Sequence, residues 1–360
     1  MNKYLIVLAA GKGSRMKSLI GDHTKISYPI MGKPILEYVL DAVDPIGFDE
    51  KYVIAGFGGE ITKQIVGNRA KTIQESKVTE TASSVNMARD DLENKEGVTL
   101  VIYGDLPLIT TESLNKLFKK HEKNKNSLTV MTSVVERPEG YARIIREHKS
   151  NVISAIKEEA KCNEYELMDV NEINPGIYLF NNKILFEYLK KGIYTISEIV
   201  EKLVKDKIKV ETYVLEDATE IFSINNRVQL AYAAKIIRKR VNHKLMLSGV
   251  SIEDPDTAYI SPDVIVNQDT IIMPNTTILG KSRIGRNNLL GPNLHLVNAS
   301  IGNDNTIAYS WIEDSKIGNK NKVGPYTKIT NNSEIGDNCE IDSFIELNST
   351  NIKNGSKVKK

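Results

Sequence analysis

Aliphatic side chains return at almost every sixth position from residue 260 onward. Ile260, Val266, Ile272, Ile278, Ile284, Leu290 and Leu296 keep strict step. Occasional five-residue steps carry the register through Ile301, Ile307, Ile312 and Ile317. It continues through Val323, Ile329, Ile335, Ile341, Leu347, Ile352 and Val358. This period fits neither an α-helix nor a continuous strand. It fits a triangular coil in which each hexad forms one short side and its aliphatic residue points into the prism. The pattern predicts a left-handed parallel β-helix over residues 249–360. Glycine follows several of these positions, as in Ile284-Gly285, Ile301-Gly302 and Ile317-Gly318, and is expected to help the chain turn each corner.

Residues 1–225 carry a different pattern. Short apolar runs over Tyr4–Ala9, Tyr52–Ala55, Thr99–Tyr103, Leu128–Val134, Gly176–Phe180 and Lys209–Val214 alternate with amphipathic segments. The latter include Ile35–Val43, Thr111–Lys120 and Ser197–Lys205. The alternation predicts an α/β domain on a largely parallel sheet, with any ligand at the carboxyl ends of the strands. Residues 226–248 read as a linking helix, capped by Asn226 and ended at Gly249. Its expected apolar stripe is Val228, Ala231, Ala234, Ile237 and Val241.

Composition narrows the function classes. Lys and Arg number 48 against 46 Asp and Glu in 360 residues, a net charge of +2. That gives no electrostatic case for nucleic acid or a membrane surface. The basic cluster Lys235–Arg240 reads as the solvated face of a helix. No stretch reaches transmembrane length, and the N-terminal apolar run reads as a buried first strand, not a leader. Cys162 and Cys339 are far apart and form no disulfide framework or zinc spacing, which suits the cytoplasm. The five histidines lack metal-ligand spacing, and no hydrolase motif occurs.

Three motifs offer chemistry. Leu8-Ala9-Ala10-Gly11-Lys12-Gly13-Ser14-Arg15-Met16 follows the first strand. Gly11 and Gly13 let backbone amides turn toward a phosphate chain, and Arg15 supplies a planar cation. The motif is neither the Gly-Lys-[Ser/Thr] phosphate loop nor the dinucleotide fingerprint, whose third glycine is Met16 here. Lys25, on the next loop, is placed to reach the same phosphates. Asp105, just past the strand ending at Tyr103, can hold Mg²⁺ against phosphate oxygens. Gly140, Glu158 and Asn174 suit a sugar, and Asn225 offers an uncharged second oxygen for a metal. Taken singly, each is also an ordinary turn, surface or capping residue.

Together these residues resemble the sugar-1-phosphate nucleotidylyltransferase family. They resemble in particular its bacterial bifunctional branch, which joins uridylyl transfer to acetyl transfer. The matching segments are the Leu8–Met16 motif, Gly32-Lys33-Pro34-Ile35, Tyr103-Gly104-Asp105-Leu106-Pro107-Leu108, Gly140-Tyr141-Ala142-Arg143, Asn174-Pro175-Gly176, Asn225-Asn226-Arg227 and the hexads. The resemblance implies a Rossmann-like nucleotidylyltransferase domain followed by the β-helix. It implies contacts from Leu8, Ala9, Ala10 and Gly11 to the nucleotide, with Arg15 and Lys25 on its phosphates. Gln74 would face uracil, and Tyr103 and Gly104 would line the site. Asp105 and Asn225 would hold Mg²⁺. Gly140, Glu158 and Asn174 would surround an amino sugar. The implied reaction transfers a uridylyl group from UTP to N-acetylglucosamine-1-phosphate and releases pyrophosphate. A homotrimer built through the β-helix is implied as well.

Two departures shape the expectations. Thr79 stands where the family has a glycine after the base-reading glutamine, and Glu80 follows it; a carboxylate there favours a base amino group over a carbonyl. Cytidine triphosphate, or another sugar phosphate, is therefore an alternative substrate. A non-catalytic assembly subunit is a second alternative. Near Lys25, Thr24 replaces the family's usual proline. The chain is also a C-terminally shortened form relative to the bifunctional enzymes, and Thr330 and Asn348 stand where basic acceptor-binding residues are expected. No acetyltransferase activity is anticipated.

Overall fold

The computed structural model describes residues 1–11, 13–17, 24–75, 80–147, 152–189 and 195–360. The chain divides into two compact units. One comprises Met1–Tyr28 and Pro34–Leu230, the other Pro29–Lys33 and Ala231–Lys360. Among the described residues no helix is long and apolar enough to cross a membrane.

The first unit is built on a 10-stranded sheet. Its strands are β1 (Lys3–Ala9), β2 (Glu50–Ala55), β3 (Lys71–Gln74), β4 (Val98–Tyr103), β5 (Leu128–Val134), β6 (Ala142–Arg146), β7 (Ile153–Lys157), β8 (Glu172–Asn174), β9 (Ile177–Asn181) and β10 (Val210–Val214). They run in the order β3-β2-β1-β4-β9-β5-β8-β6-β7, with β10 beside β5. Strand β1 is apolar from Tyr4 to Ala9 because it is covered on both faces. Tyr4, Ile6 and Leu8 enter one core cluster; Leu5, Val7 and Ala9 enter the other. Each such fully buried aliphatic side chain contributes roughly 1.5–3 kcal/mol. The helix Ile35–Val43 packs Leu36, Val39 and Leu40 into the second cluster, whereas Ile196–Lys205 packs Ile196, Ile199 and Val200 into the first.

The sheet is mixed, where the strand-helix alternation predicted a largely parallel one. Strands β3, β2, β1 and β4 pair in parallel, and β10 is parallel to β5. The β4-β9, β9-β5, β5-β8, β8-β6 and β6-β7 pairs are antiparallel. The antiparallel half contains β6, β7 and β8, short strands with charged residues that give weak apolar runs. What the parallel half fixes is a common edge: Leu8 pairs with Tyr103 and Ala9 with Ala55, so the loops after β1, β2 and β4 leave side by side.

A helix runs Arg227–Leu247. The Asn226 side chain accepts from the Gln229 amide at 2.9 Å, an N-cap. At the other end Val250 donates to the Leu245 carbonyl and Gly249, at φ 94°, to that of Met246, the bonding pattern of a Schellman stop. The apolar stripe differs from expectation: Val228 is 80% exposed, and the buried positions are Ala233, Ile237, Asn242 and Leu245. Asn242 is buried because its amide donates to the carbonyls of Pro255 and Ala258. That polar cap on the chain entering the coil carries no apolar signal.

The second unit is the left-handed β-helix. Its two- and three-residue strands stack into parallel sheets of seven, six and six strands. Hexad residues pile up every third side: Ile260, Ile278, Leu296, Ile312, Ile329 and Leu347 form one column. Along this column the residues are buried, at 8% exposure or less. Lys33 joins this unit through an ion pair with Asp263 at 2.9 Å.

The glycines after the hexad residues do not turn corners by positive φ, with the exceptions of Gly291 and Gly324. Left-handed corners are taken instead by residues such as Asn287, Asp304, Lys320 and Asn338. Gly285, Gly302, Gly318 and Gly336 are required by stacking. A Cβ on Gly302 would lie 2.5 Å from the Gly318 carbonyl and 2.7 Å from the Asn319 side-chain oxygen. The space they leave admits a ladder in which the Asn303 amide donates to Asn319, Asn319 to Asp337, and Asp337 to Asn354.

Candidate functional site

The carboxyl edge of the parallel strands opens into a cleft of about 700 Å³. Its floor is the chain leaving β1: Leu8, Ala9, Ala10 and Gly11 all line it. Gly13 follows at φ 64°, and a Cβ there would sit 2.7 Å from that of Lys25. Glycine therefore lets the loop cross Lys25 closely and turn into the Ser14–Met16 helical turn that carries Arg15.

Asp105 reaches the cleft because β4 lies beside β1. The Gly104 amide donates to the Leu8 carbonyl at 2.9 Å, and the next residue projects at the mouth. Ile224 donates from its backbone to the Asp105 carbonyl at 3.1 Å, which lays the Ser223–Asn225 segment over it. Distant residues meet there. The Lys25 ammonium donates to the Asp105 carboxylate and, at 3.1 Å, to the Asn225 side-chain oxygen. The same oxygen accepts from the Arg15 guanidinium at 2.9 Å. The Asn225 amide nitrogen donates to the Ser223 hydroxyl at 3.1 Å, which fixes which end of the side chain faces the cations.

The other wall is formed by Tyr103, Gly140, Glu158 and Asn174. The edge of the Tyr103 ring closes on Gly176, whose imagined Cβ would fall 1.9 Å from a ring carbon. Burial, reinforced by the charges of Asp105 and Glu158, pushes the Tyr103 phenol well above its ordinary value, so it stays a protonated donor. Asn174 is held at both ends, donating to the Tyr178 hydroxyl at 2.6 Å and accepting from the Gly176 amide at 3.1 Å. Glu158 has no side-chain partner among the described residues and is available to a polyhydroxylated ligand.

Sequence expectations and geometry divide at three places. Gln74 ends β3 but does not line the cleft: its amide donates to the carbonyls of Gly56 at 2.8 Å and Glu75 at 3.1 Å. Gly13 and Gly104 support the cleft from behind and do not line it. Thr79 lies outside the described residues. Arg143, in the Gly140–Arg143 motif, is 1% exposed and donates to the backbone carbonyls of Pro138 and Tyr141, so it shapes the loop.

The cleft also recruits residues with no sequence signal. Lys161, Thr195 and Ser197 line it because the antiparallel half of the sheet folds their segments over the same edge. Thr195 carries a recognisable capping box with Glu198, but a cap says nothing about a cleft. Thr81 lines it from the start of the helix Thr81–Asn86, beside Glu80, which the sequence had already singled out.

Among the described residues no cluster of three or more His, Cys, Asp or Glu could cage a metal. The Asp105–Asn225 pair still fits a hard cation. Two oxygens converge on one positive group, the Lys25 ammonium, and Mg²⁺ uses few protein oxygens when phosphates complete its shell.

Comparison with known proteins agrees with this architecture. Residues 5–172 match the MobA-like NTP transferase domain family. Over 324 residues the chain is 39% identical to bifunctional protein GlmU of Lactobacillus johnsonii, covering 88% of this chain and 69% of that protein. It is 37% identical over 325 residues to bifunctional protein GlmU of an Exiguobacterium species, covering 88% and 71%. A solved structure of a proposed glucose-1-phosphate thymidylyltransferase from Bacillus anthracis, in complex with a sucrose, matches with a TM-score of 0.53 at 17% identity. It covers 65% of this chain and 94% of that one, a likeness of fold alone. Extended identity through both units and a cleft of converging cations, carboxylate and backbone amides identify the chain as a nucleotidyltransferase of the GlmU family.

Proposed function

We propose that the protein transfers a uridylyl group from UTP to N-acetylglucosamine-1-phosphate, giving UDP-N-acetylglucosamine and pyrophosphate. One observation carries this reading: Arg15, Lys25 and Asp105 meet around the Asn225 oxygen beside the backbone of Leu8–Gly11. The sugar phosphate attacks the α-phosphorus in line, and pyrophosphate leaves on the opposite side. Such a reaction needs positioning and charge neutralisation, not a protein nucleophile. Arg15 and Lys25 hold phosphate oxygens. Asp105 and Asn225 would hold Mg²⁺, which would neutralise charge on the triphosphate. Gly140 gives a sugar ring close backbone approach, and Glu158 and Asn174 engage its polar groups. Residues 1–225 would carry this chemistry, 226–248 the linking helix and 249–360 the coil.

One feature favours a second reading of the base. Glu80 lines the cleft with a carboxylate that has no partner among the described residues. Cytosine offers it an amino group, whereas uracil offers a carbonyl. A pyrophosphate-release screen over the four common triphosphates, with and without N-acetylglucosamine-1-phosphate, separates the two. Turnover with UTP only in the presence of the sugar supports the first reading; turnover with CTP instead overturns it.

Assembly as a homotrimer through the flat coil faces is part of the same proposal, and sedimentation equilibrium measures it. The free thiols of Cys162 and Cys339 suit a cytoplasmic setting. We also infer that the coil transfers no acetyl group. Thr330 is buried and Asn348 is neutral, so neither offers a cation to an acceptor phosphate. Turnover of glucosamine-1-phosphate with acetyl-coenzyme A would refute this.

A further inference from the structure

We propose that, before nucleotide binds, the Lys25 ammonium takes the position between Asp105 and Asn225 that a divalent cation would need, so that the cation enters only with the triphosphate that draws Lys25 away. This rests on reading Asp105 and Asn225 as the cation's ligands. It adds an order of binding, and a second task for a residue otherwise expected only to grip phosphate.

Three contacts support it. The Lys25 ammonium lies between the Asp105 carboxylate and the Asn225 oxygen. That oxygen also accepts from Arg15 at 2.9 Å, so both of its acceptor positions are in use. The Lys25 and Asp105 side chains are 16% and 12% exposed, so solvent screens their pairing less than it would at the surface. A divalent ion arriving alone would meet an ammonium and a guanidinium at the position it must take, with one carboxylate to offset all three charged groups.

A triphosphate reverses this balance. Its oxygens are charged acceptors, stronger for both cations than the neutral amide of Asn225. When Lys25 and Arg15 turn onto the phosphates, the Asp105 carboxylate and the Asn225 oxygen are released together. The phosphate oxygens then supply the remaining ligands that Mg²⁺ requires. Asn225 links the two events because it contacts both cations and is itself one of the proposed ligands.

The test is Mn²⁺ binding to the full-length protein without nucleotide, read from the spectrum of free aqueous Mn²⁺. Wild type is expected to bind at least about tenfold more weakly than Lys25→Met, which keeps the stem and removes the charge. Adding a non-hydrolysable UTP analogue is expected to bring wild type up by a similar factor. Asp105→Asn on the Lys25→Met background must erase the gain; a gain that persists puts the ion elsewhere and overturns the proposal. Equal Mn²⁺ affinity in wild type with and without the analogue overturns it too, with no variant needed. Circular dichroism and a Lys25→Gln variant guard against a folding defect in Lys25→Met. Base and sugar selection play no part in nucleotide-free binding, so failure of the uridylyl reading in the pyrophosphate screen is a separate result.

Discussion

Lys25 and Asn225 stand 200 positions apart in the chain, and the lysine ammonium donates to the asparagine side-chain oxygen at 3.1 Å. The contact exists because two backbone bonds align distant segments: Gly104 to Leu8 sets β4 against β1, and Ile224 to Asp105 brings the Asn225 segment over both. One neutral oxygen then organises two cations and stands beside a carboxylate.

That arrangement sets the effect of removing either of the two proposed oxygen ligands. Asp105→Asn keeps the volume and deletes the charge that offsets Lys25. A fall in kcat of about 10²–10³-fold is expected, the range typical of losing one electrostatic contact to the transition state. Asn225→Ala should act on the same step with a smaller loss, because the oxygen it removes is neutral. Initial rates of pyrophosphate release at saturating and limiting Mg²⁺ distinguish them: Asp105→Asn should also raise the Mg²⁺ concentration needed for half-maximal rate.

Arg227 touches the site only through its neighbours. Its Nε donates to the Met16 carbonyl at 3.2 Å and its Nη2 to the Tyr28 hydroxyl at 3.3 Å, with the guanidinium over the Tyr28 ring. It thereby ties the turn carrying Arg15 to the segment just after Lys25. Arg227→Ala is expected to lower kcat/KM for the triphosphate by about ten- to a hundredfold through misplacement of both cations. Arg227→Lys should recover little, since one ammonium cannot reproduce the planar fork. A KM for the triphosphate unchanged in both variants would exclude the positioning role.

In the coil, Gly318 is tested by its missing side chain. A Cβ there would lie 2.3 Å from the Asp337 carboxylate oxygen and 2.9 Å from the Gly336 backbone. The Asp337 oxygen already accepts from the Asn319 amide at 2.6 Å, so it cannot move without opening the ladder. Gly318→Ala should destabilise by about 1–3 kcal/mol, the usual cost of overpacking. It should leave pyrophosphate release at 25 °C unchanged. Thermal unfolding of wild type and Gly318→Ala measures the loss as a fall in Tm; an unchanged Tm would show that the ladder tolerates the added Cβ.

The legibility of this molecule in its sequence follows the range of each interaction. The coil was readable because one buried aliphatic per side repeats; Ile278 and Leu296 occupy equivalent places by register alone. Arg15 and Asp105 were readable because each follows a buried strand whose end must face a ligand edge. Gln74 was not, since its direction is set by the Gly56 carbonyl at the end of the neighbouring strand β2. Lys161, Thr195 and Ser197 reach the cleft only through the antiparallel half of the sheet, whose short charged strands leave no apolar pattern. The glycines of the coil were visible, but their cause was not: clash with the next turn is a contact between residues 16 to 18 apart. The helix stripe failed at Val228, which is exposed, and missed Asn242, which is buried through its two carbonyl partners and carries no apolar signal.

His121 gives the pH dependence of folding a defined window. It is 3% exposed on the helix Thr111–Asn124, with Nδ1 at 2.8 Å from the Thr129 hydroxyl. Burial lowers its pKa from 6.5 to about 4. The unfolded chain therefore binds a proton between those values that the folded chain refuses, and stability rises with pH across that interval. Its contribution is fully present above pH 6.5 and declines as pH falls toward 4, by up to about 3 kcal/mol from the size of the shift. Urea denaturation of wild type at pH 7, 6, 5 and 4.5 should show this loss. His121→Gln, which keeps a polar group toward Thr129 but cannot titrate, should start less stable at pH 7 and lose less on acidification. An equal acid-induced loss in both proteins would assign the effect to other groups.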